Sequence, residues 1–182
     1  MLKKYGVKMW EIVLLCVIIG VLSAMTGFLG EYEVAIDAKG RFLVPAGFRK
    51  QLAEGAAERF VINRGLDKHL TLYTMESWEA FSGIILTLND FNPEESLLKR
   101  LILNGATIVE PDSAGRLLLP KTLMEYVGLK KDMVFSCNGD KVELWDKDTY
   151  YAHMQENMGQ LAYLAQKILG NRSLHPSTRP ND

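Results

Sequence analysis

The sequence is poor in the residues that catalytic and metal chemistry draw on. It has two cysteines, Cys16 and Cys137, and three histidines, His69, His153 and His175, in 182 residues. Two cysteines make no plausible disulfide framework, which is consistent with a reducing compartment. The histidines are scattered and share no metal-ligand spacing with either cysteine, so no metal site is expected. There is no glycine-rich phosphate loop and no Ser/His/Asp or Cys/His set in the local sequence. The expectation is therefore no enzyme, no cofactor and no small-molecule ligand. Positive charge is not in excess either: 21 Lys and Arg stand against 22 Asp and Glu, a net charge of −1. Without residues 1–25, which carry Lys3, Lys4, Lys8 and Glu11, the balance is 18 basic to 21 acidic, or −3. Nucleic-acid binders usually show a basic balance, so any such function must come from a local patch. The rest of the composition, 48% hydrophobic and 24% charged, is ordinary for one globular domain or two small ones.

What the chain does have is a stretch said twice. Asp37-Ala38-Lys39-Gly40-Arg41-Phe42-Leu43-Val44-Pro45 returns as Asp112-Ser113-Ala114-Gly115-Arg116-Leu117-Leu118-Leu119-Pro120, with Asp, Gly, Arg and Pro all offset by 75 residues. Phe48 answers Leu123 at that offset, and Leu72-Tyr73 answers Leu144-Trp145 at an offset of 72. The first copy is thus three residues longer, between Leu52 and Leu72. Each copy has roughly fifty residues, too few for a good core alone, so two copies in one chain are expected to pair and share one.

Each copy has its own local mechanics. Tyr32, Val34 and Ile36 alternate with Glu31, Glu33 and Ala35, the pattern of a half-buried strand. Asp37 can bond backbone groups two residues on, and Gly40 can take a positive φ, so the chain turns there and Arg41 opens the returning strand. Pro45 suits the first position of a short helix over about residues 46–53, since its missing N–H is an orphan there in any case. Asp112, Gly115, Arg116 and Pro120 repeat the plan, and Gly128 stands where a helix C-cap would be. Further strands are expected at 59–63 and 69–73. Thr74 is read as the cap of a helix with Trp78, Phe81, Ile84, Ile85 and Leu88 on one stripe. Asn92-Pro93-Glu94-Glu95 opens a second helix, with Leu97, Leu98, Leu101 and Ile102 apolar. Residues 133–137, Asn138-Gly139 and 141–145 read as a two-residue hairpin, and Asp148 as the cap of a last helix through Leu169. Phe48, Trp78, Leu101 and Trp145 are expected in the core.

The ends are different in kind. Lys3, Lys4 and Lys8 precede an uncharged run, residues 12–29, most apolar from Ile12 to Leu22. Three readings fit this extension: a signal peptide ending near Ser23-Ala24, a short membrane anchor, or translated upstream sequence ahead of a true start at Met25. A fourth is a buried apolar helix. Residues 171–182, with two prolines and no apolar run, read as a disordered tail.

The paired Asp-x-x-Gly-Arg turns, each followed by a proline-initiated helix, resemble the MraZ family, which carries two SpoVT-AbrB-type domains in tandem. The resemblance covers about residues 28–155 and includes Phe28-Leu29-Gly30, the Leu97-Leu98-Lys99-Arg100-Leu101 helix and the stretch from Phe135 to Trp145. It implies an α+β fold: two tandem AbrB-type units forming a swapped-hairpin β-barrel with packed helices. The expected division is an apolar extension over 1–24, unit 1 over 30–78, a helical connector over 79–105, unit 2 over 106–150, a C-terminal helix over 151–170 and the tail.

The resemblance also implies a function. Its members are bacterial transcriptional regulators acting at the promoter of the division and cell-wall gene cluster, their own gene included. It implies double-stranded DNA and further copies of the chain as partners, the latter in a ring-shaped homo-oligomer, with a cytoplasmic, nucleoid-associated location. The DNA-contacting role carries over to Lys39, Arg41 and, more weakly, Arg116, with Asp37, Gly40, Asp112 and Gly115 shaping the turns. Two positions depart from the pattern: Ala114 replaces the lysine in the second turn, and Leu29 stands at a place often basic in relatives. Both point to weaker binding per subunit, which a ring offering many copies to repeated sites would offset. The competing readings are a ring scaffold that binds a protein partner, motivated by the acidic balance, and a membrane-tethered form using residues 12–29.

Overall fold

A computed structural model describes residues 27–53 and 55–170. The apolar extension over 1–24 and the tail fall outside these residues, and of the uncharged run 12–29 only residues 27–29 are described. The chain divides after Asp146 into two compact units.

The first unit holds both copies of the repeat. Its first copy contributes β1 (Glu31–Ala35), β2 (Arg41–Leu43), α1 (Ala46–Arg49), β3 (Phe60–Arg64) and β4 (His69–Thr74). Helices α2 (Met75–Leu86) and α3 (Pro93–Leu103) follow, and then the second copy: β5 (Thr107–Val109), β6 (Arg116–Leu118), α4 (Lys121–Val127), β7 (Asp132–Asn138) and β8 (Lys141–Asp146). A six-stranded sheet runs β1-β7-β8-β4-β3-β5, and β2 and β6 form a separate two-stranded ribbon. Every pairing is antiparallel, and β1–β7, β4–β8, β3–β5 and β2–β6 each join a strand of one copy to a strand of the other. The two copies are interleaved, and neither has a sheet of its own.

The expected closed barrel is not formed among the described residues. The large sheet keeps β1 and β5 as edges, and a single bridge, Ile36 to Phe42, ties it to the ribbon. The reason is local. β2 and β6 have three residues each, bounded by a glycine turn on one side and a proline on the other, and proline cannot donate to a ladder. Pro111 occupies the place of Ile36, whose N–H donates to the Lys131 carbonyl at 2.7 Å, so β5 cannot continue as β1 does.

Between sheet and ribbon lies an aromatic and aliphatic core. Phe48 meets Phe135 edge-on at 5.0 Å between ring centroids, with Phe28 at 4.9 Å on another side. Phe42 and Leu117, opposite one another in the ribbon, point inward and are fully buried beside Ile62, Leu70, Leu72, Met133 and Leu144. Strand β4 is buried at every position, as befits its central place. Strand β1 alternates as expected: Tyr32 and Val34 are half-buried, whereas Glu31, Glu33 and Ala35 are exposed.

The helix starts follow their caps. Thr74 Oγ1 accepts from Ser77 N at 3.2 Å, and Asn92 Oδ1 from Glu94 N at 3.0 Å with Pro93 next in line. Gly128 takes φ 68° at the end of α4.

Several further expectations are corrected. Pro45 and Pro120 stand at the N-cap, not inside the helix, and α1 stops at Arg49. In the β7–β8 hairpin Asn138 pairs with Lys141, so the two-residue turn is Gly139-Asp140. Only Gly139 has a positive φ there, 68°, the pattern of a turn with glycine first and not of Asn-Gly. Leu101 is exposed and Trp78 half-buried, whereas Phe48 and Trp145 are core. Asp148 lies in the first turn of a helix that begins at Lys147. The expected single C-terminal helix is two, α5 (Lys147–Met158) and α6 (Leu161–Leu169), which make up the second unit. Gly159 separates them, a residue that costs a helix interior about 1 kcal/mol relative to alanine. Among the described residues no helix is long and apolar enough to cross a membrane.

Candidate nucleic-acid interface

The two repeated motifs meet on the ribbon. Strand β2 pairs with β6 in the register Arg41 with Leu118, Phe42 with Leu117 and Leu43 with Arg116. Alternation along each strand then puts Phe42 and Leu117 on the core side and Arg41, Leu43, Arg116 and Leu118 together on the other. Leu43 and Leu118 are about half exposed, at 50% and 53%. The outward face is a short antiparallel ribbon with an arginine opposite a leucine at each end, the two arginines on one diagonal and the two leucines on the other, and its ends are related by a local two-fold. The backbone keeps that symmetry: Gly40 O accepts from Leu119 N at 2.9 Å, and Gly115 O from Val44 N at 3.3 Å.

Both turns are built by their aspartates. Asp37 O accepts from Gly40 N at 2.9 Å, and Asp37 Oδ1 from Lys39 N at 2.9 Å and Arg41 N at 3.0 Å. Gly40 has φ 82°, a conformation that a side chain would strain. The other carboxylate oxygen takes Arg41 Nε at 2.8 Å and Nη2 at 2.7 Å. The second turn repeats this nearly atom for atom. Asp112 Oδ1 accepts from Ala114 N at 2.9 Å and Arg116 N at 3.0 Å, and Oδ2 takes Arg116 Nε at 2.9 Å and Nη2 at 2.8 Å. Gly115 has φ 75°.

The charges follow from the geometry. The Arg41 side chain, then the Arg41 and Lys39 backbone N–H groups, hold the Asp37 carboxyl down to about 2. Arg116 lowers that of Asp112 in the same way. Asp37 in turn raises the pKa of the Arg41 guanidinium. Each arginine spends one edge of its fork on its own aspartate and keeps the remaining N–H groups for something else. The pair carries little net charge, and what it offers is a donor group in a fixed orientation. Lys39, exposed at the first turn, adds a free-standing positive charge that Ala114 does not supply at the second.

All seven residues singled out from the sequence, Asp37, Lys39, Gly40, Arg41, Asp112, Gly115 and Arg116, therefore lie on this ribbon and its two turns. Three neighbours were not singled out. Leu43 and Leu118 lie inside the repeated motif, but their outward aim depends on a pairing between copies that the motif does not specify. Arg49, the last residue of α1, is exposed, and its Nη1 would lie 3.1 Å from a Cβ added to Gly115. Leu29 is exposed, and its N–H donates to Gln51 Oε1 at 2.9 Å. Among the described residues no group of three or more His, Cys, Asp or Glu is placed to hold a metal ion. His69 is buried and stacked on Trp145 at 4.6 Å.

Comparison with known proteins bears on most of the chain. The family profile described as "MraZ protein, putative antitoxin-like" matches twice, over residues 27–101 and 102–168. A protein of Christiangramia forsetii named transcriptional regulator MraZ is 38% identical over 148 residues, covering 81% of this chain and 96% of that one. Proteins of the same name from Flavobacterium psychrophilum and Cytophaga hutchinsonii are 36% and 35% identical, over 81% and 78% of this chain and 94% of each relative. The shared name is that of a regulator and not of an enzyme class.

Proposed function

Because the chain belongs to the MraZ family, we propose that it is a sequence-specific DNA-binding transcriptional regulator that reads a duplex with the β2–β6 ribbon. The observation that carries this reading is the duplicated lock: two arginines, each fixed by an aspartate bound at three points, on one outward face. A two-stranded ribbon fits the major groove, and an oriented arginine fork matches the acceptor pair of a guanine edge or a phosphate. Leu43 and Leu118 add apolar surface suited to thymine methyl groups. Lys39 supplies a point charge for the backbone. The target we assign is the promoter of the division and cell-wall gene cluster, the protein's own gene included, with the protein acting in the cytoplasm at the nucleoid.

A single subunit offers few cations, so its grip is modest and falls with salt. A closed ring of copies multiplies that grip when the DNA carries repeated sites. Exposed apolar side chains on and between α2 and α3, Ile84, Leu86, Phe91, Leu97 and Leu101, are the surface such an assembly would cover. The test is retention of the protein's own upstream DNA in a gel shift, with assembly followed by size-exclusion chromatography. Arg41→Ala is expected to abolish retention while the assembly persists. Undiminished retention by that variant, or equal affinity for the upstream duplex and its scrambled version, overturns the reading.

A further inference from the structure

The two turns differ in one charge. Lys39 in the first has Ala114 as its counterpart in the second, 75 residues on. The interleaving of the copies brings a second difference to the same place. The short helix of each copy lies against the turn of the other. At the first turn the neighbour is Met124 of α4, whose Sδ would be 3.1 Å from a Cβ on Gly40; at the second it is Arg49 of α1, whose Nη1 would be 3.1 Å from a Cβ on Gly115. Arg49 and Met124 are themselves 75 residues apart, so they occupy one position of the repeat. Lysine over alanine at one repeat position is thus balanced by arginine over methionine at the other, and crossing the copies delivers one extra cation to each turn.

We propose that Arg49 is a further DNA-contacting residue, a phosphate-binding cation that serves the second turn in place of the lysine it lacks. The inference rests on the ribbon being the DNA-reading surface. Two features support a role in contact over one in holding the turn. Arg49 is exposed, and among the described residues its side chain makes no ion pair and no hydrogen bond. The turn it faces is already closed by Asp112, with bonds that match those of the first turn, where a methionine stands in its place. A phosphate contact needs charge at the right position more than a particular shape.

The test compares full-length variants by fluorescence anisotropy on a labelled duplex of the protein's own upstream region across a salt series. Arg49→Met installs the residue that the repeat itself uses at this position, so the fold is expected to survive. It should weaken binding about tenfold at moderate salt and lower the slope of log affinity against log salt by roughly 0.9 per engaged subunit. Arg49→Lys should retain most of the affinity. The double variant Arg49→Met with Ala114→Lys, which copies the charge arrangement of the first turn, should recover both affinity and slope. If Arg49→Met binds as tightly and with the same slope while Arg41→Ala abolishes binding, Arg49 is not a contact and the ribbon reading stands. If Arg41→Ala and Arg116→Ala also leave binding intact, the ribbon reading falls and takes this inference with it. A loss of binding that the double variant fails to restore would make Arg49 a support of the turn, and that result too overturns the proposal.

Discussion

Asp37 holds Arg41 at three points: its Oδ1 accepts the backbone N–H at 3.0 Å, and its Oδ2 takes Nε at 2.8 Å and Nη2 at 2.7 Å. Exposed ion pairs contribute little to stability. The pair is better understood as a device that aims a guanidinium while cancelling most of its charge. On the proposed reading of the ribbon, that division of labour separates selectivity from attraction. Asp37→Asn keeps an acceptor for the turn's backbone but removes a negative charge from the ribbon and loosens the arginine. Affinity for a scrambled duplex should rise, affinity for the upstream duplex should rise less or fall, and their ratio should drop severalfold. A ratio equal to that of the unaltered protein would show that Arg41 is not aimed by Asp37.

The same pair sets a pH dependence. The Asp37 carboxyl is held at about 2, below its ordinary 3.8, chiefly by the Arg41 side chain. A lowered folded-state value means that the contribution of the pair is present above about 3.8 and is lost as pH falls toward 2. The turn should therefore stay locked from neutral pH down to about 4, with no titration of Asp37 in that range. Carboxyl carbon NMR should place the Asp37 midpoint near 2, and Arg41→Ala should move it up toward 3.8. A midpoint already near the ordinary value in the unaltered protein would mean that the pair is open in solution.

Much of this was legible in the sequence, and the limits have physical causes. The 75-residue offset located both turns, and their hydrogen bonds follow from Asp and Gly at fixed spacing. The starts of α2 and α3 followed from Thr74 and Asn92 because caps are local chemistry. Cross-strand pairing is not local. That β2 meets β6 and β1 meets β7 depends on contacts between copies, and only those contacts bring Arg49 to Gly115. Leu101 is exposed although its stripe points to the core, because an apolar stripe marks a face to be covered and does not say by what. The break at Gly159 is hidden in the sequence because the apolar residues Met158, Leu161 and Leu164 carry a helical rhythm across it.

The interleaved core gives a stability prediction. Phe135 is fully buried on β7, edge-on to Phe48 at 5.0 Å, 6.1 Å from Tyr32 and 6.3 Å from Phe42. It links strands of both copies to the ribbon. Phe135→Ala should cost about 3–5 kcal/mol by urea unfolding. Phe135→Leu, which keeps more of the volume, should cost less. Because the copies share one core, loss should appear as one cooperative transition that carries both turns with it. An unfolding curve in which one copy melts and the other persists would contradict the shared core.

Cys137 offers a last check on how tightly the sheet closes over its own edge. It sits on β7 across from Val142, with its backbone N–H bonded to Gly30 O at 2.8 Å and its side chain half-buried. Burial alone raises its thiol from an ordinary 9.0 to about 11. The nucleophile is the thiolate, so at pH 8 the reactive fraction falls about a hundredfold below that of an open thiol. Iodoacetamide at pH 8 should label the Cys137 peptide at least that much more slowly in the folded protein than in urea, as read by mass spectrometry of the digested chain. Raising the pH toward 11 should speed labelling of the folded protein before it unfolds. Equal rates in the folded and unfolded protein at pH 8 would mean that β1 leaves β7 often enough to bare the thiol. The β1–β7 pairing between copies would then be the weak seam of the sheet.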